Sequence, residues 1–163
     1  MATTAKPLLP DAGLDTGELA AWRGLLRVHA AMVHALDAEL EAAHGLPLSH
    51  YEVLMSLGEA PDGRMRMCDL AERVLLSRSG LTRLADRLER DGLICRARCS
   101  DDARGSFACL TDAGHDTLAQ ARQTHLEGVR RHFLEHLGQQ ELACLSAAWE
   151  RVLPGAARKN GDA

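Results

Sequence analysis

The stretch Ser77-Arg78-Ser79-Gly80-Leu81-Thr82-Arg83 interleaves hydroxyls and guanidiniums at the start of what reads as a helix, and Arg87 extends the basic row by one turn. Hydroxyls bond base edges or phosphate oxygens. A guanidinium grips phosphate or reads guanine through two parallel hydrogen bonds. Downstream, Asp102-Ala103-Arg104 lies in a charged loop between two strand-like runs. A guanidinium at a hairpin tip suits the minor groove, whose negative potential deepens where it narrows. Asp102 is placed to hold Arg104 through a charge-assisted pair. A helix with a basic outer face beside a basic hairpin fits a winged helix-turn-helix on duplex DNA, in which the second helix enters the major groove. Phosphate contacts should outnumber base contacts, because most protein–DNA hydrogen bonds go to the backbone.

The elements that carry these residues are legible in outline. At about 100° per residue, Leu81, Leu84 and Leu88 share one narrow sector, with Ser79, Thr82, Arg83, Asp86 and Arg90 opposite. Gly92 closes that helix. A solvated amphipathic helix would show the same division. A winged helix that binds protein instead of DNA would turn apolar residues outward, where this one has Ser79, Thr82, Arg83 and Asp86.

Upstream, Asp15-Thr16-Gly17-Glu18 resembles a capping box for a long helix to about Ala43. That helix carries a stripe of Leu19, Trp22, Leu26, His29, Val33, Leu36 and Leu40, and Gly45 and Pro47 end it. Ser49-His50-Tyr51-Glu52 repeats the capping pattern for a second helix to about Glu59, which Pro61-Asp62-Gly63 terminates. A short strand over 64–67 and a short helix over 68–74 follow. The short helix lacks a Ser or Thr cap.

Ile94–Cys99 and Ser106–Leu110 read as the two wing strands. Thr111 caps a helix expected to reach about Leu137, and a last helix spans about Gln139 to Leu153. The expected fold is mainly α with a small β-hairpin wing. It comprises about six helices and dimerises through the N- and C-terminal ones. Residues 1–14 read as a loose arm, 15–153 as one domain and 154–163 as a flexible tail. Within the domain, the winged lobe spans about 49–110 and the dimerisation helices about 15–44 and 111–153. The terminal helices are too apolar for a lone winged helix and call for a partner surface.

The chain has 163 residues and a formal net charge of −4. Between Arg64 and Leu110 ten Arg stand against seven acidic residues, while the remainder holds nine basic and sixteen acidic ones. The positive field therefore sits where the motif is. Only five aromatics are present, too few for a platform that stacks single-stranded bases. No phosphate loop, dinucleotide glycine fingerprint or His-Glu-x-x-His appears, so an enzyme is not expected. Nor does any run approach the roughly 20 apolar residues that span a bilayer, and the start lacks a secretory apolar run. Five cysteines without a Cys-x-x-Cys pair fit reduced thiols and a cytoplasmic setting.

Cys95, Cys99 and Cys109 map to the wing strands and Cys68 opens the short helix. Oxidation there would move the wing and weaken DNA binding. Against this, Arg96 and Arg98 are opposed by Asp101 and Asp102, so nothing marks a depressed thiol pKa, and idle or buried thiols are the alternative. His132 and His136 stand at a zinc-compatible i, i+4 spacing, with His125, Glu39, Glu41 and His44 elsewhere. No specific four-ligand set assembles from them, and no cofactor is expected.

Cys68-Asp-Leu-Ala-Glu-Arg-Val74, Ser79-Gly-Leu-Thr-Arg-Leu-Ala-Asp-Arg-Leu-Glu89, Asp91-Gly-Leu-Ile94, Asp102-Ala-Arg104 and Leu110-Thr-Asp-Ala-Gly114, in this order and spacing, resemble the MarR family of winged-helix transcriptional regulators. The resemblance covers about residues 17–153. It implies a triangular homodimer with entwined terminal helices, binding a palindromic operator, usually as a repressor. Recognition helices would lie about one DNA turn, roughly 34 Å, apart.

The family often binds small aromatic acids or phenols between the dimer helices and the winged lobe. The residues expected to line such a site are Trp22, Leu26, Arg27 and His29 on the first helix and Tyr51 and Met55 on the second. Core or dimer positions are the competing reading for Trp22, His29 and Tyr51. In the organic-peroxide branch of the family the sensing cysteine lies in the first helix, and here that helix has none.

Overall fold

A computed structural model describes residues 13–98 and 106–155. In chain order the elements are α1 (Thr16–His44), α2 (Leu48–Gly58), β1 (Arg64–Arg66), α3 (Met67–Arg73), α4 (Arg78–Arg90), β2 (Ile94–Arg98), β3 (Ser106–Leu110), α5 (Asp112–His132) and α6 (Gln139–Val152). Single 3-10 turns occupy Pro61–Gly63 and Leu134–His136. The mainly helical, winged architecture and its six helices match the sequence reading.

Local capping chemistry explains most of the boundaries. Asp15 accepts hydrogen bonds from the backbone of Gly17 and Glu18 at 2.7 and 2.9 Å, and Glu18 reaches back to the Asp15 N–H at 2.8 Å. Gly45, at φ 60°, closes α1 in the left-handed region that glycine adopts without penalty. Thr111 caps α5 by accepting from Gly114 N–H at 3.0 Å.

Three expectations are corrected. Ser49 does not cap α2: the helix already begins at Leu48, whose N–H donates to Asp37 Oδ1 of α1 at 2.8 Å. A tertiary carboxylate takes over the capping role. The fifth helix stops at His132 rather than near Leu137, because Phe133 leaves the helical region at φ −134°. His132 and His136 therefore do not share an α-helical face, which removes the chelating spacing. Third, the β2–β3 hairpin does not stand alone: the expected short strand β1 pairs antiparallel with β3, opposite Cys109, Ala108 and Phe107, giving the order β1-β3-β2.

The core lies in the winged lobe and extends to the C-terminal half of α1. It gathers Leu36 and Leu40 of α1, Tyr51, Val53, Leu54 and Leu57 of α2, Leu70 of α3, Leu81, Ala85 and Leu88 of α4, Ile94, Ala108 and Leu118. Two glycines permit close approach. A Cβ at Gly128 would press on Leu36 and Glu39, so α1 and α5 cross tightly there. One at Gly114 would collide with the Leu93 carbonyl oxygen, where α5 starts against the end of α4. The N-terminal half of α1 is different: Trp22, Leu25, Leu26, Val28 and Val33 are all exposed. Among the described residues, no helix is long and apolar enough to cross a membrane.

Candidate nucleic-acid interface

α4 is amphipathic in the sense the sequence predicts. Leu81, Ala85 and Leu88 are buried, and Ser77, Arg78, Ser79, Thr82, Arg83, Asp86, Arg87 and Arg90 are exposed. Ser77 is the N-cap: its Oγ accepts from Gly80 N–H at 3.1 Å and lies 3.3 Å from Ser79 Oγ. Thr82 Oγ1 donates to the Arg78 carbonyl at 2.9 Å, so toward a ligand it offers its lone pairs. The polar face thus divides. Ser77 and Thr82 have hydroxyls engaged within the helix, while Arg78, Arg83 and Arg87 are exposed, Arg83 and Arg87 one turn apart.

One residue that sequence reasoning missed holds this helix in place. Arg96, in the middle of β2, donates to the Thr82 carbonyl at 3.1 Å and forms an ion pair with Asp86 at 2.7 Å; Glu89 lies 3.7 Å away. Its own backbone N–H donates to Glu89 Oε1 at 3.1 Å. β2 is thereby tied to the middle of α4, and the angle between wing and helix is set by a charge-assisted brace. Asp86 and Glu89, three residues apart on one face with a strand arginine downstream, were the available signal.

The helix on the other side is also anchored. Arg73 at the end of α3 pairs with Glu59 at 2.8 Å. The turn between α3 and α4 places Leu75 at φ 53° with 92% of its surface exposed. A left-handed non-glycine residue is costly, and the Leu76 N–H to Ala71 carbonyl bond at 2.9 Å helps hold that turn. Beneath α4, His50 of α2 is pushed below its ordinary pKa by burial and then by Arg87, against the opposing pull of Asp91 and Glu41. On β1, Arg64 and Arg66 each place a guanidinium 5.5 Å from the Phe107 ring centre. Asp102 and Arg104 lie outside the described residues.

The six residues expected to line an effector site are spread over different environments. Trp22 (54% exposed), Leu26, Arg27 and His29 lie open on α1. Tyr51 is in the core, 1% exposed, with its ring stacked on His125 at 4.5 Å. Burial raises the Tyr51 pKa and lowers that of His125, which Arg122 lowers further. Met55 is half-buried against the same core. His29 brings its field to Glu52, whose carboxyl is raised by burial, so this part of α1 faces the start of α2. A groove of about 380 Å³ runs along α5, lined by Ala119, Arg122, Gln123, Leu126, Glu127 and Arg130. None of the six residues lines it.

The sequence matches the profile of the MarR family over residues 44–105, from the last residue of α1 to the residue before β3. The transcriptional repressor YetL of Bacillus subtilis is 30% identical over 118 residues, covering 72% of this chain and 70% of that protein. The chain belongs to the MarR family. Solved structures agree over a wider span. AbsC, a MarR family regulator of Streptomyces coelicolor, is 37% identical with a TM-score of 0.81, covering 85% of this chain and 93% of its own. Sco3205, a MarR family regulator of the same organism solved in complex with DNA, is 31% identical with a TM-score of 0.82, covering 92% and 94%. As a MarR-family DNA-binding transcriptional regulator, the chain has these exposed arginines on the helix that the motif assigns to the major groove.

Proposed function

We propose that the protein is a homodimeric repressor of a palindromic operator, released by a small phenolic or aromatic-acid ligand. The observation that carries the DNA half is the three exposed arginines Arg78, Arg83 and Arg87 on a helix braced by Arg96. Ser77, Ser79 and Thr82 complete the face toward the major groove, and Arg104, with Asp102 beside it in sequence, takes the minor groove. The outward face of α4 is polar and basic, which favours DNA over a protein partner. The dimer half rests on α1 and α6. The exposed apolar residues of the N-terminal half of α1 and the apolar row Leu142, Leu145, Trp149 and Val152 on α6 are the surfaces a second copy would cover.

Release follows if the ligand binds one spacing of the two lobes better than the other. Trp22, Leu26, Arg27 and His29 supply an apolar wall with one cation for a carboxylate, and Tyr51 and Met55 lie behind them on α2.

The test is a gel-shift titration of the reduced protein against DNA flanking its own coding region at two salt concentrations, with and without a panel of phenolic acids. A saturable, salt-sensitive shift that one acid reverses supports the reading. Arg83→Ala should weaken binding across sequences and reduce the salt slope by about one, and Trp22→Ala should abolish release with DNA affinity kept. A salt-insensitive shift, or release that persists in the Trp22 variant at unchanged ligand concentration, overturns the corresponding half.

A further inference from the structure

The wing sheet holds a pair of thiols that DNA binding does not use. Cys95 on β2 and Cys109 on β3 are directly opposed in the antiparallel register. Two positions along the ladder, Thr111 N–H donates to the Leu93 carbonyl at 3.2 Å. Hydrogen-bonded pairs alternate along such a ladder, so Cys95 and Cys109 form one as well, with Cα atoms about 5.5 Å apart. That lies inside the range of roughly 4.4–6.8 Å from which a disulfide closes. As directly opposed residues, the two side chains sit on the same face of the sheet. Cys95 is exposed and Cys109 half-buried. Burial and the neighbouring Cys95 push the Cys109 thiol pKa up, with Arg64 of β1, its register partner on the other side, pulling the opposite way, so the exposed Cys95 is the attacking thiol.

We propose that Cys95 and Cys109 are a peroxide-oxidisable dithiol, and that closing their disulfide weakens operator binding. The second clause rests on the DNA-binding reading above. In the first step the Cys95 thiolate attacks a peroxide oxygen. The O–O bond breaks, a sulfenic acid forms on Cys95, and the departing oxygen leaves as water, or as an alcohol from an organic peroxide, after taking up the thiol proton. The Cys109 sulfur then attacks the Cys95 sulfur and the S–O bond breaks. The hydroxyl leaves as water with the Cys109 proton. Two thiols are oxidised to one disulfide and the peroxide is reduced by two electrons.

The link to DNA is Arg96, which follows Cys95 in the strand. Strand alternation puts its side chain on the opposite face, where it braces Thr82 and Asp86 of α4. A covalent bond at Cys95 retwists β2 at the residue that sets the pose of α4.

Trypsin separates the cysteines cleanly, leaving Cys95 in peptide 91–96, Cys99 in 99–104 and Cys109 in 105–122. The full-length reduced protein is treated with stoichiometric hydrogen peroxide, alkylated and mapped by mass spectrometry. In parallel its affinity for the flanking DNA is measured before and after dithiothreitol. The expected result is a 91–96/105–122 cross-link lighter by two hydrogens. Affinity should fall about tenfold and recover on reduction. Cys95→Ser and Cys109→Ser should each lose the cross-link and the peroxide response, while Cys68→Ser, Cys99→Ser and Cys144→Ser retain both. A cross-link through Cys99, Cys68 or Cys144 in place of this pair overturns the proposal. So does an undiminished peroxide response in the Cys95 variant. If the reduced protein binds no DNA, the regulator reading fails while the peptide map still decides the disulfide.

Discussion

α4 and α6 are helices of nearly equal length with opposite fates. α4 spans Arg78–Arg90 and buries Leu81, Ala85 and Leu88. α6 spans Gln139–Val152 with Leu142, Leu145, Trp149 and Val152 in helical register, and buries none of its residues. The difference is where each apolar stripe finds its complement. For α4 it is inside the chain, between α3, β2 and the leucines of α2. For α6, and for the N-terminal half of α1, the described residues supply no complement that buries the stripe. The winged lobe therefore carries its own core, whereas the terminal helices expose the kind of surface that oligomers cover.

The comparison can be broken most severely in the lobe. Leu88→Ala removes a fully buried side chain and should cost about 2–5 kcal/mol in chemical denaturation, with the loss independent of protein concentration. If the denaturation midpoint rose steeply with concentration, the lobe would not be self-sufficient. Next comes the other side of the comparison. Leu145→Glu places a charge on the α6 stripe and should leave the lobe folded by circular dichroism. In sedimentation equilibrium it should shift the protein toward a monomer, and operator affinity should fall roughly a hundredfold as one of two linked contacts is lost. An unchanged molecular mass would show that α6 is not the dimer surface.

A smaller effect sharpens the role of the lobe. Arg96→Ala removes the brace under α4; its carboxylate partners are about half exposed, so the fold should lose no more than about 1 kcal/mol, while operator affinity should fall about fivefold. A drop in stability without a change in affinity would make Arg96 a packing residue only.

The smallest effect concerns His125 under the Tyr51 ring. Burial and Arg122 hold its folded pKa below 6.5. As pH falls below 6.5, the unfolded chain takes up the proton first. Stability is therefore at its full value above that pH and declines as pH drops toward the lowered folded value. His125→Gln should flatten this decline in urea titrations at several pH values, and a slope identical to the parent's would remove His125 from the account.

What could be read from sequence was what local chemistry decides. The Asp15–Glu18 capping box, the Thr111 cap and the glycines at 45 and 92 each act within a few residues, and each appears where its spacing put it. The outward polar face of α4 follows from helical periodicity alone. What escaped is non-local. Ser49 looked like a cap, but Asp37 of another helix does that work. β1 joins β3 across more than forty residues, and neither strand advertises the other. Arg96 is an ordinary strand arginine until Asp86 and Glu89 are brought beneath it. The end of α5 at Phe133 carries no glycine or proline to announce it; the next one downstream is Gly138. The environments of the residues proposed for an effector site were the least legible, because an apolar stripe reads the same whether it meets its own core, as Tyr51 does, or stands open, as Trp22 does.

The brace at Arg96 has a consequence for how operator preference can change. It engages α4 through the Thr82 carbonyl and the Asp86 and Glu89 carboxylates, and none of its hydrogen bonds involves the side chains of Arg78, Ser79 or Arg83. If Arg78, Ser79 and Arg83 read the operator as proposed, docking and reading are carried by separate positions of one helix. A library randomised at 78, 79 and 83 samples new base preferences on an unchanged chassis. One that also varies 86 and 89 confounds altered preference with a helix that has shifted in its seat.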